Sequence, residues 1–236
     1  MLCTLGDLTK DISYYKRAWK LSNKRYPRAQ RSLARHFYNE KNYDKSEKCF
    51  EKALLINSNN TSCWFTLGFI QMIKENHQKA IACFAKLVQI NPEEGQAWAN
   101  LSGLFMKLGK MKEAYSTIEQ ASKIRERDWR VWYNYMMIGF QARKYPSFIK
   151  AIDQLIDLNC KTQIESFIIK KLNVVAEIFL ESAKSDKNSA RQTELIFIKI
   201  KKLFEKMGQQ MPEKDYVWEQ WANFQDWTKS AYELKL

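Results

Sequence analysis

Apolar and aromatic residues recur along this chain at a constant interval, with polar stretches between them. Trp64, Trp98 and Trp132 follow one another in steps of 34 residues, and Leu67 and Leu101 keep the same phase. Two further pairs with this interval are Phe50 with Phe84 and Ala80 with Ala114. A constant period over such a length indicates one supersecondary unit copied along the chain, each copy burying its apolar face against the next.

Each unit carries the apolar spacing of two short helices. In the segment 61–94, Trp64 and Leu67 lie on one side of a first helix, and Ala80 and Phe84 lie on one side of a second. Small residues are expected where the two helices approach closely. The residues that this pattern assigns to the repeat core are Trp64, Leu67, Gly68, Ala80, Phe84, Trp98, Leu101, Ala114 and Trp132.

The period predicts that the chain forms one continuous array of repeats. Residues 1–26 are predicted to be an incomplete first repeat that keeps only its second helix, and residues 161–236 to be degenerate helices that cap the same solenoid. Four full units lie between them, at 27–60, 61–94, 95–128 and 129–160. Because Met1 falls where a first helix would end, we expect the chain to be the C-terminal portion of a longer array or a truncated gene model.

The regular period fades after residue 159, and the prediction there rests on local pattern. We expect a helix over Thr162–Ser182, a polar loop over Lys184–Ser189 and a second helix over Arg191–Met207. Pro212 is predicted to open a last helix that carries Trp218, Trp221 and Phe224.

The composition supports helix almost everywhere. Only 7 Gly and 4 Pro occur in 236 residues, while 45% of the residues are hydrophobic, which is ample for a packed interior. The predicted fold class is all-α: a right-handed superhelical solenoid of antiparallel helix pairs.

The chain is basic, with a formal net charge of +13. Its lysines are scattered along the sequence, a distribution typical of solvated helix faces. The charge is compatible with an acidic protein or peptide partner, and we do not expect a nucleic acid partner.

The cysteines and the apolar runs bear on the compartment. Five cysteines occur without a CxxC motif, which favours reduced thiols in the cytoplasm or the nucleus. The chain does not open with a signal peptide, and no apolar run approaches the 18 residues that a membrane span needs. These features predict a soluble protein.

The repeat slots filled by Trp, Leu-Gly, Ala, Phe and Pro resemble the tetratricopeptide repeat, and 61–94 matches at nearly all of them. The run that begins LGDLTKDISYY, together with VWEQWANF near the end, is similar to the C-terminal array of the tetratricopeptide repeat protein 27 family. The resemblance implies a helical adaptor and a role in binding rather than in a reaction.

The residues offer little support for catalysis. Only two histidines occur, His36 and His77, in different repeats, and no HExxH, GxSxG, GxxxxGK[ST] or GxGxxG motif is present. We predict a protein that is not an enzyme and that needs no metal and no cofactor.

The predicted working surface is the concave groove lined by the first helices. Three arginines on one helix face, followed by two phenylalanines, would suit an extended peptide with an acidic end and apolar anchors. The candidate partner-binding residues are Arg28, Arg31, Arg35, Phe65, Phe69, Asn100, Arg130, Tyr133 and Asn134. The function predicted from them is a protein interaction scaffold, with membership of a larger complex as a further expectation.

Three alternatives stay open from the sequence. The arginines are equally compatible with a solvated helix face. A carboxylate clamp for a chaperone C-terminus is disfavoured, because Phe65, Phe69 and Asn134 stand where Lys, Asn and Arg are needed. The third is an RNA-processing scaffold, since VWYNYMM and VWEQWANF resemble half-a-tetratricopeptide repeats. Such a scaffold would contact ribonucleoprotein.

Overall fold

The structure is a computed structural model that describes residues 1–160, 166–183 and 187–210, with positions 217, 219, 221, 222, 224 and 225 beyond them. All secondary structure in this part of the chain is helical. The helices are α1 (Leu2–Thr9), α2 (Ile12–Leu21), α3 (Pro27–Asn39), α4 (Tyr43–Ile56), α5 (Thr61–Ile73), α6 (His77–Ile90), α7 (Gly95–Lys107), α8 (Met111–Ile124), α9 (Trp129–Gln141), α10 (Tyr145–Asp157), α11 (Ser166–Ala183) and α12 (Lys187–Gln210).

The helices form two compact units, Met1–Leu108 and Gly109–Leu236. In the first unit each helix packs against the next along the chain, from α1 to α7. The turns within the pairs α3–α4 and α5–α6 are three residues long, so the paired helices run antiparallel. The expected all-α class of antiparallel helix pairs is confirmed, whereas the division into repeats stays a prediction.

Apolar clusters fill the joints between successive helices of the first unit. One is centred on Tyr15 and Leu33, a second on Phe50 and Leu67, and a third on Phe84. Of the predicted core residues, those fully buried are Leu67, Gly68, Ala80, Phe84, Leu101, Ala114 and Trp132. Trp64 and Trp98 are partly buried against these clusters.

Each repeated tryptophan also fastens the loop that precedes its helix. The indole N–H of Trp64 donates a hydrogen bond to the backbone carbonyl of Ser58, with a nitrogen–oxygen distance of 2.7 Å. The same bond recurs from Trp98 to Pro92 at 2.8 Å and from Trp132 to Glu126 at 2.7 Å. In all three the acceptor lies six residues before the tryptophan. The period therefore reflects a repeated hydrogen bond to the preceding loop as well as repeated packing.

Two backbone features matter here: a glycine that allows close helix packing, and a positive-φ position that recurs along the chain. At Gly68, an added Cβ would lie 2.8 Å from the Phe84 ring, so α5 and α6 approach closely only because no side chain intervenes. A residue with positive φ recurs between successive helices at intervals of 34 residues: Lys41 (59°), Glu75 (57°), Gly109 (70°) and Arg143 (56°). Only one of these four is glycine, the residue that adopts this region at least cost.

A polar network joins α4 to α5. The carboxylate of Glu47, which is 8% exposed, accepts a hydrogen bond from Gln71 Nε2 at 2.7 Å and one from Lys74 Nζ at 2.7 Å. Lys74 Nζ also contacts Asp44 at 2.7 Å. Burial opposes ionisation of Glu47, but these hydrogen bonds and the lysine charges outweigh it and lower the pKa of this carboxyl.

The N-terminal segment differs from the expectation. The prediction that 1–26 holds only a second helix is wrong, because α1 is present and packs on α2. A helix of eight residues covers part of this face: Cys3 and Gly6 of α1 are buried, and the ring of Tyr15 is only 5% exposed. Leu21, by contrast, is 67% exposed.

In the second unit α9 packs between α8 and α10, and α12 packs against both α10 and α11. The hydroxyl of Tyr115 on α8 lies 2.7 Å from that of Ser147 on α10. The rings of Phe204, Trp221 and Phe224 form a cluster with centroids 5.5 to 5.8 Å apart.

The predictions for the C-terminal part are confirmed in outline and wrong in one place. The expected helix over Arg191–Met207 lies within α12, and the one over Thr162–Ser182 overlaps α11, although 162–165 fall outside the described residues. The polar loop over Lys184–Ser189 is wrong from Lys187 onward, where α12 begins. Polarity alone does not separate a loop from the first turn of a helix, where Asn and Ser are also favoured. Pro212 and Trp218 lie outside the described residues.

Candidate functional site

A basic cleft of about 390 Å³ lies between α3 and α5 in the first unit. We call it the arginine cleft, and it is lined by Asp7, Arg28, Arg31, Ser32, Arg35, Tyr38, Asn39, Phe50, Ser62, Cys63 and Thr66. The three arginines point into one space because spacings of three and four residues place them on one face of α3. The three arginines therefore line one cavity, and their role in partner binding stays a prediction.

One acidic residue enters the arginine cleft and occupies a single arginine. Asp7 Oδ2 accepts a hydrogen bond from Arg28 Nη2 at 3.3 Å, while its Oδ1 accepts one from the Tyr15 hydroxyl at 2.9 Å. Burial, followed by this hydrogen bond to a carboxylate, raises the pKa of Tyr15 to about 12. Asp7 thus holds Arg28 in place and balances its charge.

The other two arginines are available. Within the described part of the chain, no hydrogen bond or ion pair engages the guanidinium of Arg31 or Arg35. The opposite wall, on α5, presents the hydroxyls of Ser62 and Thr66 and the buried thiol of Cys63. Burial raises the pKa of this thiol to about 11, so it is protonated at neutral pH and contributes no negative charge.

The two candidate phenylalanines lie elsewhere on α5. Phe65 and Phe69 do not line the arginine cleft. Their rings are 5.2 Å apart and pack edge-on against Phe84, at 6.0 and 6.1 Å between centroids. Both are partly buried, so each has a packing role and only part of each ring is left exposed.

Asn100 lies on α7 of the first unit, outside the arginine cleft. Its Oδ1 accepts a hydrogen bond from Gln96 Nε2 at 3.3 Å, and its buried Nδ2 has no partner within the described chain. Three other candidates lie in the second unit, on α9. Arg130 lies over the Trp129 ring at 5.6 Å, and Tyr133 and Asn134 are partly buried.

Sequence reasoning did not assign the polar cleft members Asp7, Tyr38 and Asn39 to the groove. Asp7 belongs to the N-terminal helix that was not predicted, and its place in the cleft depends on how α1 packs against α3. Tyr38 and Asn39 lie in the last turn of α3, one turn beyond the positions that the repeat pattern assigns to the groove. The helical spacing of Tyr38 from Arg31 and Arg35 was a usable signal.

No metal-binding cluster of three or more His, Cys, Asp or Glu side chains is found among the described residues. In the same part of the chain, none of the helices has the length and apolar character needed to cross a membrane.

Two tetratricopeptide repeat family models match the chain, over residues 27–60 and 72–134. The first span contains the pair α3–α4, and the second contains the hydrogen bonds of the Trp98 and Trp132 indoles. The chain therefore contains tetratricopeptide repeats over these residues. Members of this scaffold family are generally non-catalytic, and they typically bind protein partners.

The chain is similar to a curated relative, the "Tetratricopeptide repeat protein 27 homolog" of Dictyostelium discoideum. The two are 44% identical over 72 residues, which is 30% of this chain and 8% of the relative. The similarity to the protein 27 family is therefore supported over a short segment.

Solved structures of low sequence identity share the fold. YrrB, described as a TPR protein with an unusual peptide-binding site, matches with a TM-score of 0.60 at 15% identity, over 87% of this chain and 96% of its own. MamA matches with a TM-score of 0.58 at 15% identity, over 67% of this chain and 92% of its own. At such identity these matches establish the fold and nothing about ligands.

Proposed function

We propose that this protein is a non-catalytic scaffold that binds a peptide segment of a partner protein. The observation that carries the proposal is the arginine cleft, in which Arg31 and Arg35 have no partner among the described residues and lie beside hydroxyl groups on α5. A guanidinium group left unpaired in a cleft is suited to a carboxylate or another planar anion, which it can bind through two parallel hydrogen bonds.

The proposed partner is acidic and belongs to a larger complex in the cytoplasm or the nucleus. The formal charge of +13 and the net positive cleft both favour an acidic segment. The exposed parts of Phe65 and Phe69 would meet an apolar residue of the same segment. Asn100 is a further proposed contact on α7, and Arg130, Tyr133 and Asn134 are proposed contacts on α9.

The RNA-processing alternative is not favoured. The matching family models are tetratricopeptide repeat models, and proteins with these repeats typically bind protein partners. Peptide capture is accordingly the function that we carry forward.

Affinity capture with the immobilised chain tests this proposal. We expect the double variant R31Q/R35Q to lose the captured partners, because it removes both unpaired guanidinium groups without emptying any part of the core. The double variant R17Q/R25Q is the matched control, since it removes the same charge from exposed sites outside the cleft. Phe65 and Phe69 are less suitable targets, because their truncation would also disturb packing on Phe84.

The predicted pattern is retention of partners by wild type and R17Q/R25Q, and their loss from R31Q/R35Q, with or without RNase. If R31Q/R35Q keeps the same partners at matched thermal stability, the cleft is not the binding site. If RNase removes the partners, or if binding falls steeply with log[salt] as counterion release predicts, the scaffold contacts nucleic acid instead.

A further inference from the structure

The charge balance of the arginine cleft specifies its ligand more closely than an acidic peptide. Three arginines and one aspartate line the cleft, so its charged side chains sum to +2 (three minus one). Because Asp7 already accepts hydrogen bonds from Arg28 and Tyr15, the unbalanced charge resides on Arg31 and Arg35. A single carboxylate would neutralise only half of it.

The hydrogen-bonding groups of the cleft point to an anion with several oxygens. Ser32 on α3 and Ser62 on α5 add hydroxyl donors to the two guanidinium forks. Ser62 also lies in the first turn of α5, where the helix dipole favours negative charge. A phosphate monoester has three acceptor oxygens and a charge of about −1.5 to −2 at pH 7.

The size of the cleft fits a phosphorylated side chain together with its backbone. Its volume of about 390 Å³ is within the range of about 300 to 1,000 Å³ that ligand pockets occupy. A free ion would leave most of this space unfilled.

We propose that the arginine cleft binds a phosphoserine or phosphothreonine side chain of the partner's peptide segment. The inference rests on the proposed scaffold function and names the chemistry that its cleft recognises. Arg31 and Arg35 bind the phosphate oxygens through paired N–H groups, Ser32 and Ser62 donate to the remaining oxygens, and Asp7 keeps Arg28 engaged in a separate ion pair.

A nucleic acid is a weaker fit to the same cleft. Single-stranded RNA is commonly held by bases stacked on aromatic side chains or arginine planes. Of the aromatic rings that line the cleft, Phe50 is 5% exposed and Tyr38 packs edge-on against Tyr43 at 5.9 Å. The ring of Phe50 is closed to a base, and each phosphodiester carries a single charge.

The test is an NMR titration of the full chain, with ¹⁵N-labelled arginine, by short blocked peptides. The probe is acetyl-Gly-Gly-phosphoserine-Gly-Gly-amide, and the comparison peptides carry aspartate, unmodified serine or the methyl phosphodiester of serine at the central position. We expect the Nε–H resonances of Arg31 and Arg35 to shift, with a Kd about tenfold lower for phosphoserine than for aspartate or the diester.

Two variants separate the geometry of the guanidinium groups from their charge. R31K/R35K keeps both charges but loses the paired N–H groups, and we expect it to weaken phosphoserine binding about tenfold. R17Q/R25Q, which lowers the net charge outside the cleft, should bind as wild type does. The variant D7N should bind the phosphoserine peptide more tightly, because it frees Arg28 and raises the cleft charge to +3.

Several results would overturn the inference. These are absence of a shift at Arg31 and Arg35, equal Kd for the phosphoserine and aspartate peptides, or equal Kd for R31K/R35K and wild type. Binding of inorganic phosphate as tight as that of the phosphoserine peptide would make this a general anion site. Displacement of the peptide by a single-stranded RNA oligonucleotide of lower Kd would reassign it to nucleic acid.

The two proposals fail separately. If partners are lost from R31Q/R35Q in the capture experiment but survive phosphatase treatment, the scaffold function stands and the phosphate inference falls. If the phosphoserine peptide binds at Arg31 and Arg35 but captured partners do not depend on these residues, the scaffold proposal fails while the phosphate site remains.

Discussion

At the scale of single residues, the tryptophans illustrate which features could be predicted from the sequence and which could not. The interval of Trp64, Trp98 and Trp132 was sufficient to predict the repeats. The hydrogen bond that each indole forms was not predictable, because its acceptor is a backbone carbonyl and the residues that supply it, such as Ser58 and Pro92, share no side-chain chemistry.

Replacing Trp64 with Phe should lower the free energy of unfolding by about 1 kcal/mol more than replacing Trp19 with Phe. Both indoles are partly buried in the first unit, but only that of Trp64 forms a hydrogen bond within the described residues. A net contribution of about 1 kcal/mol is ordinary for such a bond. Urea denaturation of the two variants measures the difference, and equal losses would show that the tie does not stabilise the fold.

At the scale of elements, the helix pairs were predictable because small, apolar and turn residues agree over several repeats. The helices α3 to α10 lie within the segments 27–160 where that agreement holds. The first helix was missed because α1 is short and the phase shifts by one residue between Ala18 and Ala53, so the repeat pattern had no full copy to extend. The start of α12 was missed because its first residues are polar.

Gly68 and Gly103 provide a matched test of helix–helix approach. Each lies inside a helix, but a Cβ at Gly68 would meet the Phe84 ring at 2.8 Å, whereas one at Gly103 would meet nothing within 4 Å. We expect Gly68→Ala to destabilise the fold by about 1 to 3 kcal/mol through overpacking. Gly103→Ala should stabilise it by about 0.5 to 1 kcal/mol, as in an ordinary helix interior. Thermal denaturation of both variants checks the signs, and stabilisation by both would contradict the close approach.

The turn positions predict a stabilising substitution. Glu75 has a φ of 57° between α5 and α6, and in the next unit Gly109 takes its place with a φ of 70°. Glu75→Gly should raise the free energy of unfolding by about 0.5 to 1 kcal/mol, because the strain of a side chain in this region is removed. Gly109→Ala, which meets no steric obstacle, should have the opposite effect. The denaturation midpoints of the pair measure both, and a loss of stability in Glu75→Gly would refute the strain argument.

At the scale of the whole molecule, some residues of the candidate site could be predicted from the sequence, but the pairing of their charges could not. Arg28, Arg31 and Arg35 were found because helical spacing places them together. The pairing of Arg28 with Asp7 was not predictable, since it depends on how a helix outside the repeat pattern packs. The role of Phe65 and Phe69 as packing residues was equally hidden, because exposure along α5 depends on where Phe84 of α6 lies.

The stability of the molecule should decrease in acid through Glu47. Because hydrogen bonds from Lys74 and Gln71 lower the pKa of this carboxyl in the folded state, its contribution is fully present above the unfolded value, about 4.3. It is lost as the pH falls through the folded value. We expect the free energy of unfolding to fall less steeply below about pH 4.3 in Glu47→Gln than in wild type. Chemical denaturation from pH 6 to pH 3 measures the slopes, and parallel slopes would exclude Glu47 as a source of the acid sensitivity.

The tie from each indole to a main-chain oxygen has a consequence for how such proteins diversify. The hydrogen bond fixes the number of residues between the tryptophan and the carbonyl that accepts from it, but it leaves the side chains of the connecting segment free to change. Substitutions there should be tolerated during evolution, whereas insertions or deletions between Ser58 and Trp64 should not. Chimaeras made by exchanging whole repeats between related proteins should therefore keep the packing between neighbouring repeats. The condition is that the number of residues from each carbonyl acceptor to its tryptophan stays the same.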